Sequence, residues 1–149
     1  MKLDVGGDEL RTLLEAASPA TMTLYGDDGE AITSPVWFRV ADDSFEVVVA
    51  TSDHKLAHLR RDPRCVLLIF EATPPFRGVI VRDMASMEFD ESAQVRLAIA
   101  TRYLGPDGGR AYADLDRRPP GWVVRLPVAA ARAWHLADKL PDKSLLDQG

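Results

Sequence analysis

Residues 45–71 read FEVVVATSDHKLAHLRRDPRCVLLIFE, and this stretch decides the fold. The three consecutive valines in Phe45–Thr51 favour a strand, because β-branched side chains suit a buried pleated surface. A short helix is expected from Lys55 to Asp62, since Pro63 cannot continue it. A second strand, Cys65–Glu71, follows at once. The stretch therefore predicts two strands with one short helix between them.

The chain on either side is also rich in short strands. Alternating apolar residues predict five more strands, over residues 21–25, 31–40, 77–89, 122–126 and 129–135. The long strand over residues 77–89 is expected to bend at its middle. Seven short strands with few helical interruptions favour a closed antiparallel barrel. The expected fold class is therefore mainly β, with short flanking helices.

Two further helices are predicted at the margins of this sheet structure. Apolar residues at helical spacing indicate a helix from Asp8, its expected N-cap, to Ala17. Another helix begins after Asp90 and breaks at Gly105–Gly109. No linker or repeat divides the chain, so we expect a single domain over residues 1–149, with loose tails at 1–7 and 141–149.

Composition excludes several classes of partner. The chain has 18 Lys and Arg against 23 Asp and Glu, a formal charge of −5. A net-acidic protein repels nucleic acid, so no nucleic-acid partner is expected. The longest apolar run, Cys65–Phe70, is too short to span a membrane, and Met1-Lys2-Leu3-Asp4 opens no signal peptide. With Cys65 as the lone cysteine, a reducing cytoplasm is the expected location.

The motifs of metal and hydrolytic enzymes are missing. His54 and His58 have the spacing of a metal half-site, but the third histidine, His135, is distant in sequence, so no metal is expected. There is no Gly-x-Ser-x-Gly elbow for a serine nucleophile. The thiolate of Cys65 is disfavoured inside an apolar strand. Hydrolysis is therefore not expected.

The junction of strand and helix at residues 50–55 carries a candidate anion site. Thr51 and Ser52 place hydroxyl groups at a helix N-terminus, and Lys55 adds a cation in the first turn, which together can hold a phosphate. Asp53 could instead occupy the same donors as an ordinary N-cap. The basic run that begins at Lys55 also has the alternative interpretation of a solvated helix face. These residues alone leave both alternatives open.

Several segments taken together resemble one known family. They are Ser34-Pro35-Val36-Trp37-Phe38, Thr51-Ser52 with Lys55, Leu59-Arg60-Arg61-Asp62-Pro63, and Trp134. They resemble the flavin and deazaflavin oxidoreductases of the pyridoxamine-phosphate-oxidase-like split-barrel superfamily. The likeness is closest to small members that use coenzyme F420. It implies a split barrel of six to seven strands and a homodimer with two cofactor sites at the subunit interface.

The resemblance also implies roles for individual residues. Ser34, Val36 and Trp37 would line the isoalloxazine or deazaflavin ring. Thr51, Ser52 and His58 would meet the polar tail of the cofactor, and Lys55 its phosphate. Trp134 and Lys139 would approach from the neighbouring subunit. Arg60, with Arg61, would favour F420 over FMN, because F420 carries carboxylates beyond its phosphate.

The function implied by the resemblance is hydride transfer from F420 to a small unsaturated or conjugated substrate. FMN is the alternative cofactor. A second alternative is a non-catalytic protein that binds a flavin, haem or lipid, with His54 or His58 as the haem ligand. The arginine-plus-lysine strand signature of true pyridoxamine phosphate oxidases is absent from Phe38-Arg39-Val40, so oxidation of vitamin B6 is not expected.

Overall fold

The structure is a computed structural model that describes Lys2–Leu3 and residues 7–141. Ten strands are present in this part of the chain: β1 (Lys2–Leu3), β2 (Ala20–Tyr25), β3 (Ala31–Val36), β4 (Arg39–Ala41), β5 (Ser44–Val49), β6 (Arg64–Phe70), β7 (Gly78–Met84), β8 (Ser86–Phe89), β9 (Trp122–Pro127) and β10 (Ala131–Trp134). The helices are α1 (Asp8–Glu15), α2 (His54–Arg61) and α3 (Gln94–Tyr112). Among the described residues, no helix is long and apolar enough to cross a membrane.

The strands form two antiparallel sheets. The larger sheet has the order β1-β10-β7-β6-β2-β3, and the smaller has the order β4-β5-β9-β8. The mainly β class predicted from the sequence is confirmed. The closed barrel predicted from the strand pattern is wrong, because the strands divide between two sheets.

Two bends explain why ten strands are found where six to seven were expected. The segment predicted as one strand over residues 31–40 breaks at Trp37–Phe38, so that β3 and β4 lie in different sheets. The segment over residues 77–89 breaks at Ala85, whose backbone N–H donates to the Pro63 carbonyl at 2.8 Å. The tenth strand is β1, where loose chain was predicted. The bend within residues 77–89 confirms the prediction of a strand bent at its middle, whereas the bend at Trp37–Phe38 was not predicted.

The core lies between the sheets and is closed by the first two helices. In β6, Cys65, Leu67 and Ile69 are 2% exposed or less, whereas the alternate residues face outward. The helix α1 contributes Leu10 and Leu13, both 1% exposed. Both β6 and α1 therefore bury one face, as a half-covered strand and an amphipathic helix must.

Other boundaries differ from the sequence-based predictions in detail. Gly7, rather than Asp8, is the N-cap of α1. The break predicted at Gly105–Gly109 is a kink, since Gly105 has φ of +79° and the helix resumes immediately after it. Glycine adopts this left-handed conformation without the steric cost that a side chain would impose. The predicted tail at 142–149, and residues 1 and 4–6, lie outside the described residues.

Cys65 offers a direct check of the core. Burial of the side chain raises the pKa of its thiol to about 11. The reactive thiolate should therefore be roughly a hundredfold scarcer than in an unfolded chain at pH 8, given an ordinary thiol pKa near 9. We expect a thiol reagent to modify the native protein about a hundredfold more slowly than the urea-unfolded protein. Equal rates in the two states would contradict this placement of Cys65.

Candidate functional site

A cavity of about 800 Å³ opens where the end of β5 meets α3 and the loop that precedes β9. The strand β3 contributes Pro35 and Val36 to its wall, and residues 47–53 form the adjoining wall. Further lining residues come from α3, from residues 117–119 and from Gly121. The volume falls in the range typical of cavities that hold small molecules and cofactors.

One wall of the cavity is a rigid aromatic cluster. The Trp37 ring stacks on Tyr103, with centroids 5.1 Å apart and planes at 10°, and lies 5.0 Å from the Tyr112 ring. The Tyr103 hydroxyl donates to the Ser18 carbonyl at 3.2 Å and accepts from the Phe38 N–H at 3.4 Å. Trp37 therefore packs within the protein and also faces the cavity, so it offers a flat apolar surface of fixed orientation.

The junction of β5 and α2 also lines the cavity. Asp53 caps α2, because its Oδ1 accepts from the Lys55 backbone N–H at 2.9 Å. Its Oδ2 also pairs with Lys55 Nζ at 3.1 Å. Burial by itself raises the pKa of Asp53, but the hydrogen bonds and the charge of Lys55 outweigh burial and lower that pKa overall. Both features left open by the sequence are thus present together: an ordinary N-cap and a cation at the cavity.

The two hydroxyl groups at the strand end differ in their engagement. The Thr51 hydroxyl donates to the Pro120 carbonyl at 2.7 Å and so fastens the strand end to the loop before β9. Ser52 is exposed, lines the cavity and has no side-chain hydrogen bond within the described residues. Of the two, Ser52 is the one with a free donor for a ligand.

Arg96 organises the loop and was missed by the sequence analysis. It is 8% exposed, and its guanidinium donates to the carbonyls of Ala113, Arg118 and Pro119 at 3.2, 3.0 and 2.8 Å. The sequence does contain a feature that could have predicted it. Arg96 lies three residues after Ala93, and this spacing puts a charged residue on the apolar side of the predicted helix. An arginine in that position needs buried acceptors, because burying an unpaired charge is costly.

The cavity is cationic although the chain is acidic. Four cationic side chains line it, those of Lys55, Arg96, Arg117 and Arg118, against the single carboxylate of Asp53. A cleft lined by one sign of charge raises the local concentration of oppositely charged ligands. The electrostatics therefore favour an anionic ligand.

The structure brings together Val36, Trp37, Thr51, Ser52 and Lys55 around this cavity, but five other predicted site residues do not line it. Ser34 pairs with the buried Met22 in the sheet register, and its Oγ is buried without a hydrogen-bond partner in the described part of the chain. His58 likewise has a buried Nδ1 with no partner there. The Arg60 guanidinium lies 4.7 Å from the Trp122 ring centroid.

The remaining two residues, Trp134 and Lys139, lie near the end of the described chain. The Trp134 ring covers Gly78 so closely that a Cβ on that glycine would lie 2.3 Å from Trp134 Cζ2. Lys139 is exposed in the short 3-10 turn Ala137–Lys139. Their expected contact with the site of a neighbouring subunit stays a prediction.

The residues that line the cavity include neither a cysteine nor a histidine. In the described part of the chain, no group of three or more His, Cys, Asp or Glu residues is placed to hold a metal ion. What the walls offer is a flat aromatic surface, hydroxyl groups and cations.

These features agree with a comparison of the sequence with known families. The profile of the pyridoxamine 5'-phosphate oxidase family matches residues 7–135. The chain belongs to this family. No curated protein sequence matches the chain significantly.

Solved structures confirm the fold. The conserved hypothetical protein Rv2991 from Mycobacterium tuberculosis superposes with a TM-score of 0.74 and 24% identity, over 90% of this chain and 88% of that one. An F420 reductase gives a TM-score of 0.66 and 19% identity, over 78% of this chain and 91% of that one. HutZ, the heme storage protein from Vibrio cholerae, gives a TM-score of 0.62 and 16% identity, over 80% of this chain and 87% of that one. At these identities the likeness shows the fold alone, and one fold serves different ligands.

Proposed function

We propose that this protein is a homodimeric oxidoreductase of the cytoplasm that binds F420 and transfers hydride to a small unsaturated or conjugated substrate. The observation that carries the proposal is the cavity itself, which is lined both by a stacked aromatic cluster and by a cationic junction of strand and helix. Hydride transfer needs no side-chain nucleophile, because the cofactor performs the chemistry and the protein binds and orients it.

The residues at the cavity suit a flavin-type cofactor. Val36 and Trp37 would lie beside the tricyclic ring, and Ser52 and Lys55 would bind the phosphate. Asp53 would have to share Lys55 with that phosphate, which moderates the affinity. When bound, the reduced cofactor supplies a hydride to one carbon of the substrate's double bond, and the other carbon takes a proton from solvent.

The preference for F420 over FMN needs a different basis from the one expected. Arg61 donates to the Tyr25 carbonyl at 2.9 Å and pairs with Asp27, and Arg60 lies against Trp122. Neither arginine lines the cavity, so the cationic run does not support F420 there. The similarity of fold to an F420 reductase and the cationic cavity support F420 instead, and FMN remains the alternative.

Haem binding is the second candidate, because the fold is shared with a heme storage protein. It is favoured less, since a haem iron needs an axial ligand and no histidine lines the cavity. An absorbance spectrum after addition of haemin would reveal a Soret band of ligated haem if this candidate were correct.

Hydride transfer can be tested with reduced F420 under anaerobic conditions and cyclohexenone as a model conjugated acceptor. We expect the protein to accelerate the return of the F420 absorbance and to produce cyclohexanone in equal amount. A parallel assay with reduced FMN distinguishes the cofactors. The protein is not an oxidoreductase of this kind if it accelerates the oxidation of neither reduced cofactor. The rates with and without protein are compared for each of a panel of conjugated acceptors.

The homodimer is supported by the outer face of the larger sheet. Cross-strand register places Val66, Leu68 and Ile80 on this face, with Phe70 and Trp134 beside Gly78 at its end. All five are only partly buried in the isolated chain. Arg82 and Arg132 lie on the same face, opposite Val66 and Ile80, and both are exposed. An exposed apolar patch bordered by charged residues is typical of a protein–protein interface.

We expect light scattering to give twice the monomer mass at micromolar concentration. Leu68→Glu, which puts a charge at the centre of this face, should shift the protein towards monomer. Leu104→Glu is the matched control, because Leu104 is 47% exposed on α3 and does not lie on the sheet. A parent protein that is monomeric, or a Leu68→Glu variant as dimeric as the control, would contradict this interface.

A further inference from the structure

We propose that Arg117 is a carboxylate-binding residue at the cavity, in addition to the phosphate site at Lys55. The inference rests on the proposed function for the identity of the natural ligand. Its direct basis is the set of contacts made by the cationic side chains around the cavity.

Three of the four cations that line the cavity are already engaged. The Arg96 guanidinium donates hydrogen bonds to three loop carbonyls, and Lys55 pairs with Asp53. Arg118 donates from Nη1 to the Tyr112 carbonyl at 2.8 Å, and its guanidinium carbon lies 4.4 Å from the Tyr112 ring centroid. Arg117, by contrast, has no side-chain hydrogen bond, ion pair or ring contact with the described residues. It is the cation with its full donor capacity available to a ligand.

The backbone that carries Arg117 is held in place on both sides. Its N–H and that of Arg118 donate to the Asp114 carbonyl at 3.2 and 3.0 Å. The buried Arg96 binds the carbonyls on either side of this turn, and Thr51 ties the following residue, Pro120, to the end of β5. The Arg117 side chain itself is exposed. The anchored backbone therefore fixes where the side chain starts, which reduces the loop entropy lost when a ligand binds.

The chemistry of the side chain indicates a carboxylate. A guanidinium presents a planar fork of donors that matches a carboxylate in a bidentate arrangement, whereas an ammonium is a point charge suited to a phosphate. Lys55 and Arg117 thus provide two different anion recognition groups in one cavity. The carboxylate could belong to the tail of F420 or to a substrate that carries an acid group.

The test compares the parent with Arg117→Ala and with Arg110→Ala. Arg110 is the matched control, since it is an exposed arginine that pairs with Asp107 and does not line the cavity. Fluorescence titrations measure affinity for F420, which has a phosphate and carboxylates, and for FMN, which has a phosphate only. Thermal unfolding in sodium citrate and in sodium chloride of equal ionic strength tests carboxylate binding without any cofactor.

If the carboxylate belongs to F420, Arg117→Ala should weaken F420 about tenfold and leave FMN unchanged. If it belongs to a substrate, the affinity for F420 should hold, but the extra stabilisation by citrate should be lost in Arg117→Ala alone. The inference is overturned if Arg117→Ala matches the control in both measurements, or if it weakens FMN as much as F420. If the parent binds no F420 but is stabilised by citrate, and Arg117→Ala loses that stabilisation, the proposed cofactor is refuted and the anion site is supported.

Discussion

Phe38→Ala should lower the free energy of unfolding by about 3 to 5 kcal/mol, the cost of removing a large buried aromatic side chain. Phe38 is 0% exposed and lies where the chain passes from β3 in one sheet to β4 in the other. The Arg102 guanidinium carbon lies 4.8 Å from its ring centroid. Truncation would leave a cavity at the bend that separates the sheets. Urea denaturation monitored by circular dichroism measures the effect.

Phe89→Ala is the control for this prediction. Phe89 is 45% exposed, so the same change in side chain should cost only about 1 kcal/mol, from its contact with the Trp122 ring. Phe38→Leu keeps most of the apolar volume and should cost much less than Phe38→Ala. The placement of Phe38 at the junction of the sheets would be wrong if the two alanine variants unfolded at the same urea concentration.

Lys55→Ala should weaken the binding of F420 and of FMN by about ten- to a hundredfold, the worth of a charge-assisted hydrogen bond to the phosphate. Lys55→Arg should recover part of this loss, because the planar guanidinium has a different geometry from the ammonium. Fluorescence titration of each variant measures both affinities. The melting temperature should change little, since a cation in the first turn of a helix opposes the helix dipole.

Asp53→Asn separates the two roles of the carboxylate that contacts Lys55. Asparagine also caps helices well, so the acceptor for the Lys55 N–H is retained, while the competing charge on Nζ is removed. The affinity for F420 should therefore rise about two- to fivefold, as expected for release of a partly exposed ion pair. If Lys55→Ala and Asp53→Asn both bind the cofactors as the parent does, the basic run is a solvated helix face.

The sequence predicted the parts of the molecule whose signals are local. The strand, cap and helix over residues 45–62 carry their own pattern of valines, hydroxyls and charges, so Ser52 and Lys55 were predicted together at one junction. A bend in the segment that contains Ala85 was predicted. The bend at Phe38 was not, because Val36, Phe38 and Val40 keep the alternation of a single strand.

The rest of the cavity depends on contacts between distant segments. Trp37 meets Tyr103 and Tyr112, which are far from it in sequence, and no local pattern brings these rings together. Arg117 follows a polar segment whose composition is that of an ordinary loop. Conversely, Arg60 belongs to a conspicuous basic run, yet the direction of the helix places it against Trp122 instead.

An equilibrium fluorescence titration of the purified protein with F420 tests most directly whether this cavity binds a flavin-type cofactor. We predict saturable binding of one F420 per chain, with an affinity higher than that for FMN. Failure of F420 and of FMN to give any saturable change would contradict the assignment of this cavity to a flavin-type cofactor.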